Sequence, residues 1–232
     1  MKIRIMTYNV QSFKDFKTGK INYENIVKII KKYKPDVLGL NEVFDKGYDK
    51  NSNISQVEEL NKKLGYNYCF SKATKIRGIN YGNAFLSKDS IEDVEIIKVH
   101  QPIFRTSKRL YQRRSILKLE TYGCTFIFTH LGLNLDEQKN GIKKLLLNIS
   151  DNKCILMGDL NMEENNYLIK TVENKLYNTS NSSKKELLTY PSDKPNRKLD
   201  YIFVSKDIKV SRVFVPKVIA SDHRPYIVDI IL

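Results

Sequence analysis

Five short segments of this chain fix Asn, Glu, His or Asp at one end of an apolar, strand-like run. They are Thr7-Tyr8-Asn9, Asn41-Glu42, Thr129-His130, Gly158-Asp159-Leu160-Asn161 and Ser221-Asp222-His223. Brought together, these ends form a rim of oxygen and imidazole groups that can hold a hard cation beside a phosphate. A phosphate ester resists attack because negative oxygens shield the phosphorus. A catalyst must therefore neutralise charge, supply a nucleophile and support the leaving oxygen.

Each task has a candidate. Glu42 closes a nearly continuous apolar run, where a charge is costly unless it is paired or bound to a metal. Its natural role is to bind Mg²⁺, which takes one or two carboxylates and fills its remaining positions with water and substrate. The bland alternative is a glutamate reaching solvent at a strand end. Asp159 and Asn161, two residues apart, can face one side beyond Cys154-Ile-Leu-Met157. Asp159 can then orient or deprotonate a water while Asn161 donates to the phosphate or the attacking oxygen; an Asx turn is the competing reading.

His223 can act as a base or as a cation toward phosphate, and needs a carboxylate to fix its tautomer. Asp200, opening the run Tyr201-Ile-Phe-Val204, is the expected partner, with Asp222 turned toward the metal or its waters. A simple Asp-His turn before a closing strand is the alternative. His130 can donate to a nonbridging oxygen, and Asn9 can position the metal-bound acid or the phosphate. Asn83, Arg113 and Arg114 are candidate phosphate contacts, although one of the two arginines can equally be a structural ion-pair residue. His100 reads as a surface residue.

The elements that must carry these side chains follow from periodicity. A strand is expected over 2–9, and a helix over 23–33 with Ile26, Ile29, Ile30 and Tyr33 on one face, capped by Asn22 and limited by Pro35. A strand over 36–42 is covered on both faces. A second helix opens on a Ser55/Glu58 capping box and runs to Gly65. Strands at 66–71, 82–87, 91–98, 114–120 and 124–129 follow without an intervening helix and so pair antiparallel. Then come a helix over 135–149 capped by Asn134, a strand at 153–157, a short helix at 164–173, a polar loop at 178–198, and strands at 199–204, 208–215 and 225–231. Asn9, Glu42, His130 and Asp159 follow their strands, whereas Asp200 and Asp222-His223 precede theirs. If all line one rim, the strands run in both directions, and two mixed sheets packed face to face with helices outside are expected.

Composition sets the outer bounds. The 232 residues suit one domain covering 1–232, with no repeat, heptad or linker. Three dispersed cysteines, Cys69, Cys124 and Cys154, read as buried free thiols rather than a disulfide framework or zinc cluster. With 40 Lys and Arg against 26 Asp and Glu, the formal net charge is +14. An anionic partner fits that balance, as does a merely solvated lysine-rich surface. Basic segments with interleaved aromatics, expected as loops, are Lys72–Tyr81, Phe104–Arg114 and Lys184–Lys198 around Tyr190. No run is apolar enough for a signal sequence or membrane span, so a cytoplasmic setting without stable membrane insertion is expected. Neither an apolar projecting loop nor an amphipathic basic helix stands out. Nothing specifies an oligomeric state; a monomer is the working expectation.

The motifs, in their order, resemble the endonuclease/exonuclease/phosphatase superfamily of DNase I-like metal-dependent phosphodiesterases. They are Thr7-Tyr-Asn-Val10, Pro35-Asp-Val-Leu-Gly-Leu-Asn-Glu-Val43, Tyr81-Gly-Asn-Ala84, Thr129-His-Leu131, Gly158-Asp-Leu-Asn161, Leu199-Asp-Tyr-Ile-Phe-Val204 and Ser221-Asp-His-Arg-Pro225, and they span nearly the whole chain. The resemblance implies a four-layer α/β sandwich, Mg²⁺ or Mn²⁺ near Glu42, and catalysis by Asp159, Asn161, Asp200 and His223, with Asp159 and His223 both open as the base. Two departures stand out. Some nuclease members carry an acid two positions after the first Asn, where this chain has Gln11. The chain also lacks Trp, and Thr129-His130-Leu131 is closer to DNase I-like nucleases, sphingomyelinases and related phosphodiesterases than to abasic-site endonucleases. The expectation is a Mg²⁺-dependent, nuclease-like phosphodiesterase. The alternatives are hydrolysis of a phospholipid, a phosphoinositide or a small phosphate ester, and, further off, a non-catalytic binding module.

Overall fold

A computed structural model describes residues 1–48 and 53–232. Two six-stranded sheets stack face to face. In the first the strand order is β11-β12-β1-β2-β4-β3 and in the second β5-β6-β7-β8-β10-β9. The first contains β1 (Lys2–Asn9), β2 (Val37–Phe44), β3 (Asn67–Ile76), β4 (Ile79–Ser87), β11 (Lys209–Phe214) and β12 (Tyr226–Ile231). The second contains β5 (Glu92–Val99), β6 (Arg114–Thr121), β7 (Cys124–His130), β8 (Cys154–Asp159), the short β9 (Tyr177–Asn178) and β10 (Asp200–Val204). Among the described residues only β1–β2 and β7–β8 pair parallel, and each of these pairs sits at the middle of its sheet. Both sheets are thus mixed and mostly antiparallel.

Alternation along the strands builds three apolar layers. In β1, Ile3 and Ile5 point between the sheets, where they meet Phe85, Phe126, Phe128 and Met157, while Met6 and Tyr8 point outward. Helix α1 (Tyr23–Tyr33) covers that outer face with Ile26, Val27 and Ile30, and α2 (Gln56–Asn61) adds Val57 and Leu60. On the far side α3 (Leu135–Leu146) and α4 (Tyr167–Glu173) cover the second sheet with Ile142, Leu145, Leu168, Ile169 and Val172. Each such fully buried side chain contributes about 1.5–3 kcal/mol of transfer free energy, so the layer order follows from the pattern of apolar residues.

Local signals account for several boundaries. Asn22 accepts from the Asn25 amide, and Lys34, in left-handed conformation, ends α1 before Pro35. The Ser55/Glu58 capping box is formed in full. Helix α2 stops at Asn61, short of Gly65, and α3 at Leu146, short of 149; α4 starts at Tyr167 with Asn166 as its cap. Asn134 precedes α3 but makes no side-chain cap: its Nδ2 is held by Leu110 O and Glu137 Oε2, while its buried Oδ1, the atom a cap would use, has no partner. The basic stretch Lys72–Tyr81 is a hairpin turning at Arg77-Gly78 rather than a loop. The cysteines are free, with Cys124 and Cys154 buried and Cys69 partly so. No helix of the described residues is long and apolar enough to cross a membrane.

Candidate active site

The C-terminal ends of both parallel pairs open on the same side of the sandwich. Asn9 and Glu42 come from the first sheet, His130 and Asp159 from the second. The antiparallel neighbours β10 and β12 begin there, bringing Asp200 and the Asp222-His223 turn. These groups surround a cavity of about 320 Å³ whose wall includes Asn9, Glu42, Arg114, Asp159, Asp222 and His223.

Three backbone irregularities aim the side chains. Glu42 is the extra residue of a bulge between Asn41 and Val43, at φ 66°, which turns its carboxylate out of the strand and into the cavity. Its oxygens accept from Asn9 Nδ2 (3.1 Å) and the Tyr81 hydroxyl (2.9 Å). Gly158 holds φ 140°, and a Cβ there would lie 1.9 Å from Thr129 O, so only glycine permits the close β7–β8 approach just before Asp159. Asn161, at φ 52°, gives its backbone amide to Asp159 Oδ1 at 2.9 Å. The Asx turn is therefore formed, and the second carboxylate oxygen still faces the site.

That oxygen, Asp159 Oδ2, is the hub. It accepts from Asn9 Nδ2 at 3.0 Å and lies 3.6 Å from His130 Nε2 and 3.7 Å from His223 Nε2. His223 Nδ1 is 2.8 Å from Asp200 Oδ2, so the buried carboxylate fixes the proton on Nδ1 and turns Nε2 toward Asp159. Asn161 Nδ2 bonds His130 Nε2 and Leu131 O, both at 3.0 Å. Ser221 Oγ donates to Asn9 O (2.8 Å), tying the last loop to the first strand.

Electrostatics divide the roles. Burial raises the Asp159 carboxyl well above its ordinary range, and the Asp200 charge adds to this against the opposing pull of His223. Burial works against a charge on His223, but Asp200 and Asp159 outweigh it and raise the imidazole. His130 is pushed well below its usual value by burial and then by the charges of Arg114 and His223, so it stays neutral. Burial raises the Asp222 carboxyl as well. Arg114 is lowered by burial, partly restored by Glu42 and Asp159, and its buried Nε has no partner.

Two sets of side chains compete as cation sites. Asp159, Asp200 and His223 place one ligand atom each within 4.8 Å of one another. His223 Nδ1 is engaged by Asp200 Oδ2 and Nε2 faces Asp159 Oδ2, so the imidazole bridges the two carboxylates. Glu42 and Asp222, both on the cavity wall, offer hard oxygen donors and suit Mg²⁺ or Mn²⁺, whereas Asn9, expected beside them as a ligand, turns its Nδ2 to Glu42 and Asp159 and its Oδ1 to the Gln11 amide and so orients the carboxylates instead.

Not every candidate meets in the cavity. Asn83 is buried behind it, accepting from Asn41 Nδ2 at 2.9 Å, and does not line the wall. Arg113 is exposed and lines a neighbouring cleft, because adjacent residues entering a strand point to opposite faces. His100 is exposed. Sequence patterning assigns no role to Asn41, Tyr81 or Gln112. Fully buried Asn41 links both sheets, donating to Asn83 Oδ1 and Thr129 O (3.1 Å) and accepting from the Asp159 amide (3.1 Å). Its one signal in the sequence is a polar residue inside an otherwise apolar strand. The Tyr190 ring packs against His223 with centroids 4.9 Å apart.

A family model, the endonuclease/exonuclease/phosphatase family, matches residues 6–223. The chain belongs to this family. No curated protein matches the sequence. Among solved structures, this family member resembles an endonuclease/exonuclease/phosphatase from Beutenbergia cavernae DSM 12333, with 20% identity and TM-score 0.80 over 100% of this chain and 72% of that one. It also resembles a family protein from Leptotrichia buccalis C-1013-b, with 23% identity and TM-score 0.75 over 99% and 100%. A third is the mannosyl-6-phosphatase of Bacteroides thetaiotaomicron VPI-5482, with 17% identity and TM-score 0.75 over 99% and 100%. These likenesses establish the DNase I-like α/β sandwich, and family membership makes the chain a phosphoesterase of nuclease or phosphatase type.

Proposed function

We propose that the protein is a Mg²⁺-dependent phosphodiesterase of nuclease-like type. The observation that carries this reading is the cavity where the oxygens of Glu42 and Asp222 face the cationic His223 and the unpartnered Nε of Arg114. An arginine donor buried without a partner is costly unless an anion completes it. A phosphate between the carboxylate side and the Arg114/His223 side satisfies both. Glu42 and Asp222 would hold the divalent ion, with Asn9 orienting the Glu42 carboxylate, and the bound ion would supply charge neutralisation for the phosphate.

The chain's own groups do the rest. Asp159, its carboxyl raised and anchored by Asn9 and Asn161, takes the proton from the attacking water. His223, oriented by Asp200, holds a proton on Nε2 for a phosphate or leaving oxygen. Neutral His130 accepts from Asn161 Nδ2 at Nε2, so its ring proton sits on Nδ1, and in place of the donation to a nonbridging oxygen expected from the sequence it fixes Asn161 beside Asp159. Tyr81 and Asn9 hold the Glu42 carboxylate toward the cavity.

A second reading, a phospholipid diester, is favoured by one specific observation. Ile103 and Phe104, 92% and 86% exposed, form an apolar projection on the segment before Arg113 that the sequence did not reveal. The experiment is a substrate panel with Mg²⁺ and with EDTA, covering single- and double-stranded nucleic acid, nucleotides, phospholipids and sugar phosphates. Asp159→Asn and His223→Ala are expected to lower turnover on the order of 10²–10⁴-fold with the fold intact. Turnover indifferent to EDTA, or to both substitutions, overturns the mechanism. Turnover confined to phospholipid removes the nuclease assignment.

A further inference from the structure

A cavity of about 600 Å³, larger than the catalytic one, adjoins it and belongs to neither of the functions assigned above. Its walls come from both sheets. Lys72 and Lys75 stand on β3, the edge strand of the first sheet, and Arg113 on the segment entering β6 of the second. No acidic side chain lines it, and none of the three cations forms an ion pair among the described residues. Gln112 lines this cleft and the catalytic cavity alike, so the two are immediate neighbours.

A bulge creates the lysine pair. In a regular strand, residues three apart point to opposite faces. Here Lys72 pairs with Gly82 and Lys75 with Asn80, with an extra residue between, so both lysines follow the shared face of positions 80 and 82. Gly82 is required for this: a Cβ there would lie 2.0 Å from Ser71 O. Lysines on an edge strand alone would be explained by protection against sheet pairing. Arg113, arriving from the other sheet at the same cavity, is not covered by that explanation.

The second wall is held in place. Thr106 N, Thr106 Oγ1 and the Tyr111 hydroxyl all donate to Asp136 Oδ2 (3.0, 3.1 and 2.7 Å). Asn134 holds Leu110 O, and the Ser71–Ser115 hydroxyl pair, 2.9 Å apart, ties the two walls together. Ile76 and Leu110 add apolar surface between the cations. Lys72, Lys75 and Arg113 suit phosphates, and the apolar side chains with Tyr111 offer surface for the bases between them.

We infer that this cleft is a binding subsite for the phosphates and bases of a single polynucleotide strand whose reacting phosphate lies in the catalytic cavity. The inference rests on the phosphodiesterase reading for the reacting phosphate alone. The cleft accommodates on the order of one or two nucleotides, a volume within the usual range of ligand pockets and too small for a duplex.

Binding is measured in EDTA, by anisotropy of a short labelled single-stranded oligonucleotide across a salt series, so that no turnover is needed. The triple variant Lys72→Ala/Lys75→Ala/Arg113→Ala is expected to raise Kd on the order of tenfold or more at low salt. It should also make the slope of log K against log salt shallower by roughly 2, about 0.7 for each phosphate that the variant no longer neutralises. The charge-preserving set Lys72→Arg/Lys75→Arg/Arg113→Lys keeps the slope, and a duplex of the same length binds more weakly. With Mg²⁺, the triple alanine variant lowers the ratio of kcat/KM for the oligonucleotide to that for bis(p-nitrophenyl) phosphate. An unchanged Kd and slope, or a duplex bound as well as the single strand, overturns the inference. So does binding to anionic phosphatidylserine vesicles, lost in Ile103→Ser/Phe104→Ser, with no oligonucleotide affinity. A protein that binds the strand through these cations but hydrolyses no diester keeps the subsite and refutes the catalytic reading instead.

Discussion

Replacing Asn41 with alanine separates positioning from chemistry, since this side chain lies behind the catalytic wall. Its amide group makes three hydrogen bonds inside the sandwich: to Asn83 Oδ1, to Thr129 O, and from the Asp159 backbone N–H. Alanine leaves at least the Asn83 oxygen and the Asp159 N–H buried without a partner. Each stranded group costs about 1–3 kcal/mol, which for the two gives a loss of about 2–6 kcal/mol. That is a large share of the roughly 5–15 kcal/mol that holds a domain together. Urea unfolding followed by circular dichroism should show the midpoint falling with an unchanged slope. Because Asp159 loses its anchor, kcat should also fall, by an order of magnitude or more. Should alanine prevent folding, Asn83→Ala removes one partner only and is expected to cost less, about 1–3 kcal/mol. A loss under about 1 kcal/mol in Asn41→Ala, with kcat unchanged, would refute the account of this residue as the strut between the sheets.

Three further outcomes are expected. Glu42→Gln should move the Mg²⁺ midpoint of activation upward by about tenfold or more in a metal titration, while substrate affinity changes little; an unmoved midpoint removes Glu42 from the ligand set. Gly158→Ala forces a Cβ against Thr129 O and should cost about 2–4 kcal/mol in the same urea assay, together with most activity. Lys198 gives a pH signature: burial brings its ammonium from 10.5 to about 8, although Glu164 lies 2.9 Å away. Between those pH values the unfolded chain holds the extra proton, so raising the pH stabilises the fold, by at most about 3 kcal/mol from this group. Lys198→Met should lack that rise, so the stability difference between wild type and variant, measured from neutral pH up to pH 10.5, must change across that window.

Much of the site was legible because catalytic side chains sit where apolar runs stop. Asn9, His130 and Asp159 end parallel strands, Glu42 sits in a bulge two residues before the end of β2, and Asp200 and His223 lead into antiparallel ones, so the direction of chain travel implied mixed sheets. What was hidden depends on register. The bulge at Glu42 and the one that aligns Lys72 with Lys75 exist only relative to a partner strand, and single-sequence periodicity does not contain the partner. For the same reason the hairpin at Arg77-Gly78 read as a basic loop, and Asn83 as a phosphate contact. Arg113 and Arg114 looked equivalent because charge is visible in a sequence and strand face is not. Helix α3 starts at Leu135 as its pattern implied, yet Asn134 does not cap it, because Leu110 O and Glu137 Oε2 hold its Nδ2 and such tertiary partners are not written in the local sequence.

The two parallel pairs lie in different sheets, and neither sheet owns a complete set of reactive groups. One carries Asn9, Glu42, Asp222 and His223, and the other His130, Asp159 and Asp200. The contacts of His223 with Asp200 and Asp159 therefore cross the seam of the molecule. A loosened state that keeps every strand but lets the halves slide apart would retain its far-ultraviolet signal and lose catalysis. Turnover is thus a gauge of how tightly the halves are seated, and solvents or substitutions that swell the interior should silence the enzyme before they melt its strands.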